Sequence, residues 1–266
     1  MRRMSWAAAA LVLAAAGSAQ AGSFTAISNS GETHLYDIFA ANYGTPSVSD
    51  SAFRDGTGSY FTSTKSSVTY TFRRIFDRGE TAPTNLHTLA SYVTTPLTTQ
   101  DTSFADGSAQ VRFTVKYAGN ANSFGWAPDH TAAAGVGNYM EIIPAGSANG
   151  STFNTTLDNN FQFAVRSTGG GTNYWGTGET LNSDYSATPG HGDHFASWAV
   201  TASNGRTFLV LAVEDLARSA GGYDNDFNDW VGEVQLIPLP PAAWAGISSL
   251  AGVAGFGIIR RRRLRA

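Results

Sequence analysis

The chain has 266 residues, 42% of them hydrophobic and 12% aromatic, with 17 Lys and Arg against 20 Asp and Glu for a net charge of −3. That apolar content supports a packed core and argues against wholesale disorder, while the absence of cysteine excludes disulfides, thiol nucleophiles and thiolate-bound metals. Seven basic residues lie at the two ends (Arg2, Arg3, Arg260, Arg261, Arg262, Arg263 and Arg265), leaving 10 basic against 20 acidic residues, net −10, from Gly22 to Pro238. A segment so acidic repels phosphate backbones and anionic head groups, which disfavours nucleic acid and suits cations, neutral glycans or proteins as partners.

Residues 1–21 read as a secretory signal peptide. Arg2 and Arg3 supply a positive start, residues 6–16 an apolar stretch too short to span a bilayer, and Ala19-Gln20-Ala21 a small-x-small cleavage site with the cut expected after Ala21. Export machinery is therefore an expected partner, and the rest of the chain is expected beyond the cytoplasmic membrane.

Residues 22–108 form an N-terminal part with a short helix and strands, and residues 109–237 the main β domain. In residues 30–44, Leu35, Ile38, Phe39 and Asn42 recur at i, i+3, i+4 and i+7, with Glu32 near the start and Gly44 placed to stop a helix. Elsewhere the period is two. Val111, Phe113, Val115 and Tyr117 alternate with Arg112, Thr114 and Lys116, the pattern of a half-buried antiparallel strand. Similar runs occur at residues 68–76, 139–143, 161–166, 195–201, 207–214 and 230–237, separated by glycine-rich turns. Asn204-Gly205 between two of them predicts a two-residue hairpin. Residues 42–67 are mostly polar and small, and the threonine-rich stretch 83–108 reads as a loop or a seam. The fold expected is all-β: an antiparallel β-sandwich, jelly-roll-like, with a short N-terminal helix.

Two clusters hold chemistry-bearing side chains. His191, Asp193 and His194 form H-x-D-H, which suits zinc or acid–base work, although with only these groups in a glycine-rich stretch a satisfied surface turn is the favoured reading; the alternative is that Asp193 and His194 lie near the acidic loop and contribute an oxygen. The denser cluster runs from Glu214 to Asp229. Asp224, Asp226 and Asn228 alternate so that their oxygens can point the same way, and Asp229 with the Glu214-Asp215 pair can close from the side. Hard oxygens at that density suit Ca²⁺, which takes about 6–8 of them. This is not an EF-hand, since Asp229 replaces the sixth-position glycine and Gln235 the twelfth-position glutamate. The alternative is that Asp and Asn side chains shape the turn by bonding nearby amides.

The run FLVLAVEDLARSAGGYDNDFNDWVGEV has two companions upstream: YAGNANSFGW at residues 117–126, and LNSD followed by GDH within residues 181–194. In this order, over about residues 110–236, the three pieces resemble a β-domain family known as domain of unknown function 4114. The resemblance implies a domain of secreted or surface proteins with a calcium site at Glu214, Asp215, Asp224, Asp226, Asn228 and Asp229. It further implies that Phe227 is a core plug between ligand positions, and it supplies no active site.

Residues 238–266 close the chain as an address. Pro238-Leu239-Pro240 leads into the uncharged stretch 242–259, at the lower limit for a transmembrane helix, followed by the arginine cluster 260–265, which would stay on the cytoplasmic side. A proline motif, a short apolar helix and terminal arginines in that order resemble the PEP-CTERM sorting tail. This implies recognition and cutting by an exosortase, with Leu239 standing where that signature has glutamate. A permanent single-pass membrane anchor is the other reading of the same residues.

Together these readings describe an exported cell-surface or extracellular-matrix protein, stabilised by calcium, that binds an extracellular polysaccharide or a surface protein. The rival is a glycan-binding module, which would need Trp126, Trp175 or Trp230 exposed to stack on sugars, whereas large aromatics are more often core. No G-x-S-x-G, H-E-x-x-H or phosphate-binding glycine loop is present. A carboxylate pair for glycoside hydrolysis is a further catalytic option, and the expectation is a protein that is not an enzyme.

Overall fold

The stripe of Leu35, Ile38, Phe39 and Asn42 is buried along one helix of the computed structural model, and the period-two runs become strands. The structure describes residues 33–50, 60–75, 107–116, 121–129, 131–157, 161–168, 171–178, 181–185, 194–217 and 226–237. Among them helix α1 (Leu35–Tyr43) precedes β1 (Tyr60–Lys65), β2 (Val68–Ile75), β3 (Gly107–Lys116), β4 (Ser123–Ala127), β5 (Met140–Ile143) and β6 (Thr152–Leu157). Then come β7 (Gln162–Ser167), β8 (Asn173–Gly176), β9 (Phe195–Ala202), β10 (Thr207–Val213) and β11 (Trp230–Ile237).

The strands form a seven-stranded sheet in the order β1-β2-β9-β10-β11-β3-β6 and a four-stranded sheet in the order β5-β4-β7-β8. Among the described residues every pairing is antiparallel, and the fold is all-β with one short helix. The large sheet takes strands from both sides of residue 108, and β3 itself begins at Gly107, inside the stretch read as a loop.

Strand β10 explains the layering. Leu209, Leu211 and Val213 face the small sheet, where Phe124, Phe163 and Trp175 meet them, while Phe208, Val210 and Ala212 face α1 with its Ile38 and Phe39. Both faces of the strand are covered, so its sequence is apolar throughout and shows no alternation. Trp126, Trp175 and Trp230 all lie in the layer between the sheets, so none of them offers a ring to a sugar.

The helix is held by aromatic packing and by polar links, among them Ser63 Oγ–H donating to the Tyr43 carbonyl at 2.9 Å. Phe39 has no exposed surface, and its ring lies 5.0 Å from Trp198 and 5.3 Å from Phe72. At the helix end the Tyr43 hydroxyl donates to Glu233 Oε1 at 2.9 Å, and the other oxygen of Glu233 pairs with the Arg206 guanidinium. The helix stops where expected, with the Gly44 N–H on the Ala40 carbonyl at 3.0 Å.

The Asn204-Gly205 hairpin is present with a longer loop. Ala202 donates to the Arg206 carbonyl and Gly205 to the Ala202 carbonyl, so Ser203, Asn204 and Gly205 form a three-residue loop in which Gly205 takes the positive φ of 84°. The two-residue turn with both central φ positive instead joins β1 to β2, at Ser66 and Ser67.

Residues 1–21, with Ala19 and Ala21, and residues 238–266, with Pro238, Leu239 and Pro240, lie outside the described residues, as does Glu32. Among the described residues no helix is long and apolar enough to cross a membrane, and the stretch 242–259 is not among them.

The packing predicts that Phe39→Ala costs about 3–5 kcal/mol of unfolding free energy, read from urea denaturation. A cost below about 1 kcal/mol would mean that α1 is not part of the core.

Candidate metal centre

The site is built where β10 ends and β11 begins. Val213 pairs with Trp230 on one side and with Phe195 on the other. The next residues therefore bring Glu214 and Asp215 beside Asp229, with His194 across the ladder. The Glu214 N–H donates to the His194 carbonyl at 3.1 Å, continuing the sheet past the last strand pair. The Asp215 N–H donates to Asp229 Oδ2 at 2.8 Å, and the Leu216 N–H to Glu214 Oε1 at 3.3 Å.

As a result one carboxylate oxygen from each of Glu214, Asp215 and Asp229 lies within 4.8 Å of the others. Two oxygens on opposite sides of a calcium ion are about 4.8 Å apart, so this spacing fits one coordination sphere. Glu214 is 1% exposed and Asp215 0%. Burial pushes the Asp229 carboxyl up to about 7, with the charges of Asp215 and Asp226 adding to the rise. A divalent cation would reverse that balance by giving the negative charges a common partner.

The backbone of the Glu214-Asp215 pair is pinned from behind. Trp175 Nε1–H donates to the Asp215 carbonyl at 3.1 Å, and His194 Nδ1 lies 2.9 Å from the Glu214 carbonyl. A carbonyl only accepts, so Nδ1 is the donor there. Nε2 of the same ring sits 3.1 and 3.2 Å from the two oxygens of Asp184, and the ring stacks on Trp175 at 3.9 Å and 8°. His194 is buried to 1% exposure, which corrects its reading as part of a surface turn; its neighbours His191 and Asp193 lie outside the described residues.

Of the six ligands expected from sequence, the structure brings Glu214, Asp215 and Asp229 together. Asp226 and Asn228 turn to each other: the Asn228 N–H donates to Asp226 Oδ1 at 3.3 Å, and Asn228 Nδ2 bonds Asp226 Oδ2 and, at 3.0 Å, the Thr33 carbonyl. That is the turn-shaping role open to both residue types. Asp224 lies outside the described residues. Between them Phe227 adopts φ 54°, unusual for a side chain of its size, and buries its ring in the core beneath α1. Its expected role as a plug holds.

Sequence reasoning assigned no role to Asn122 or Asp184. Asn122 is buried just before β4, and its Nδ2 donates to Asp215 Oδ2. Asn122 thus meets the acidic turn directly, and Asp184 reaches the Glu214 carbonyl through His194. No family model, curated protein or solved structure matches the chain.

The raised Asp229 carboxyl makes a signed prediction for the metal-free protein. The folded state holds this proton up to about 7, whereas the unfolded chain releases it near 3.8. Stability therefore falls as pH rises from 3.8 toward 7 and is flat in this respect above that. Asp229→Asn, which keeps an oxygen for the Asp215 amide, is expected to flatten the slope in thermal melts across that window. A wild-type slope that survives in this variant would place the titration elsewhere.

Proposed function

We propose that this protein works outside the cytoplasmic membrane, at the cell surface or in the extracellular matrix, and binds its partners instead of transforming them. A calcium ion held by Glu214, Asp215 and Asp229 stabilises its β-sandwich. The observation that supports this best is the buried carboxylate triad, whose repulsion a divalent cation relieves. Hard oxygen ligands in a closed protein setting favour Ca²⁺ over Mg²⁺, which keeps several of its waters, and over Zn²⁺, which prefers nitrogen and sulfur.

The ends of the chain supply the address. The signal-like residues 1–21 lead it to export, and the tail with Pro238, Leu239 and Pro240 followed by an apolar stretch and arginines is a sorting signal for an exosortase, touching the membrane until it is processed. The acidic segment between them suits an extracellular polysaccharide or a surface protein as partner. Burial of Trp126, Trp175 and Trp230 argues against sugar stacking on those rings. Burial of Glu214 and Asp215 argues against their use as a hydrolytic pair, since a glycosidic bond must lie between such groups.

Calcium at about 100 times its Kd should raise stability by about 2.7 kcal/mol. For a domain of this size that is roughly 5–10 °C in melting temperature. Thermal melts with calcium and with chelator should show this gap in the wild type and none in Asp215→Asn; coincident wild-type curves would leave only the turn-shaping role for the acidic residues. Intact mass of the protein from cells and medium tests the address: a mature chain starting at Gly22 and lacking the arginine cluster is expected. A full-length chain in the cytosol would contradict export.

A further inference from the structure

Asn122 is a buried side chain that touches a triad carboxylate from outside the acidic turn. It is 3% exposed, and while its Nδ2 donates to Asp215 Oδ2, its Oδ1 is buried without a hydrogen-bond partner. An amide oxygen taken out of water and left unmatched is a costly arrangement for a fold to keep. Oxygen and nitrogen of one amide share a carbon, and here the nitrogen is the atom that faces Asp215. A half-turn about Cβ–Cγ would set the oxygen against Asp215 instead. Two oxygens facing each other repel, and with a cation between them they become neighbouring ligands. The unmatched atom is therefore of the chemical type a calcium site uses, on a group already in contact with that site.

The position of Asn122 in the fold adds a second point. It leads directly into β4 of the four-stranded sheet, whereas Glu214 and Asp215 follow β10 and Asp229 precedes β11 of the seven-stranded sheet. Trp175, on β8 of the small sheet, bonds the Asp215 carbonyl in parallel with it. The three carboxylates already outweigh a divalent charge, so a neutral amide adds an oxygen without adding repulsion. We propose that Asn122 is a fourth ligand of the same calcium ion, which thereby staples the two sheets of the sandwich together at one end. This rests on the calcium reading of the triad and extends it from one turn to the contact between sheets.

The test uses the chain as secreted, with Ca²⁺ and with Eu³⁺, a cation of similar size whose luminescence lifetime in H₂O and D₂O counts bound waters. Asn122→Ala is expected to weaken calcium binding about tenfold or more, and to admit about one extra water to bound Eu³⁺ as solvent fills the vacated ligand position. Asn122→Asp is expected to melt lower than wild type in chelator and to bind calcium more tightly, because a fourth carboxylate repels the others until the ion arrives. Calcium should slow hydrogen exchange in β4 as well as around residues 213–217, and in Asn122→Ala the β4 protection should be lost. Weaker affinity alone would also follow from losing the hydrogen bond to Asp215, so the water count decides. An unchanged water count in Asn122→Ala, with Asp215→Asn still abolishing calcium binding, would overturn the staple and leave the triad standing. Failure of the wild-type chain to bind calcium would overturn both.

Discussion

Three carboxylates gathered within 4.8 Å of one another, two of them buried, are the constraint that sets one end of the sandwich apart. A buried carboxylate needs a compensating charge or a proton. The fold contains one that is matched internally: Glu233, 2% exposed, meets Arg206 and the Tyr43 hydroxyl. Asp229 instead has its proton affinity raised by burial, with the charges of Asp215 and Asp226 adding to the rise. The two sites contrast within one sheet. The first is a closed ion pair that anchors a helix, and the second is an arrangement of oxygens suited to a cation.

The scaffold fixes those oxygens with little freedom. Strand β10 is buried on both faces, so Glu214 and Asp215 emerge from a rigid rail, and their carbonyls are gripped by His194 and Trp175. On the other side the turn leading to Asp229 is tied to the N-terminal segment through Asn228 and the Thr33 carbonyl, with Phe227 driven into the same core as α1. The helix layer and the acidic turn thus share side chains, and order in one supports order in the other. With Asn122 as a further ligand, an ion at the triad would add a link between the two sheets.

Much of this architecture was legible in the sequence because burial leaves a periodic record. The helical stripe at Leu35, Ile38, Phe39 and Asn42 and the apolar runs of β2, β7, β9, β10 and β11 are read directly from residue spacing. The strands that escaped notice are short or polar. β1 and β6 are edges of the large sheet and carry Thr, Ser and Asn, and β8 is a four-residue edge of the small one. β4 is central and wholly buried but contains Gly125, a residue that suggests a turn. Here glycine answers close packing, since a Cβ at that position would lie 2.1 Å from the Met140 carbonyl oxygen. At the site, the acidic residues were legible as a cluster along the chain, but the bonds that Asp226 and Asn228 make to each other were not, and the remote Asn122 had no local signal to mark it as a contact of Asp215.

The most direct test of the account is a crystal grown in calcium, with diffraction collected at a wavelength where calcium scatters anomalously. The account predicts an anomalous peak among Glu214, Asp215 and Asp229, with ligand oxygens at about 2.3–2.6 Å and the Asn122 amide oxygen among them. A map without that peak, in which the three carboxyl groups share protons with one another, would contradict it.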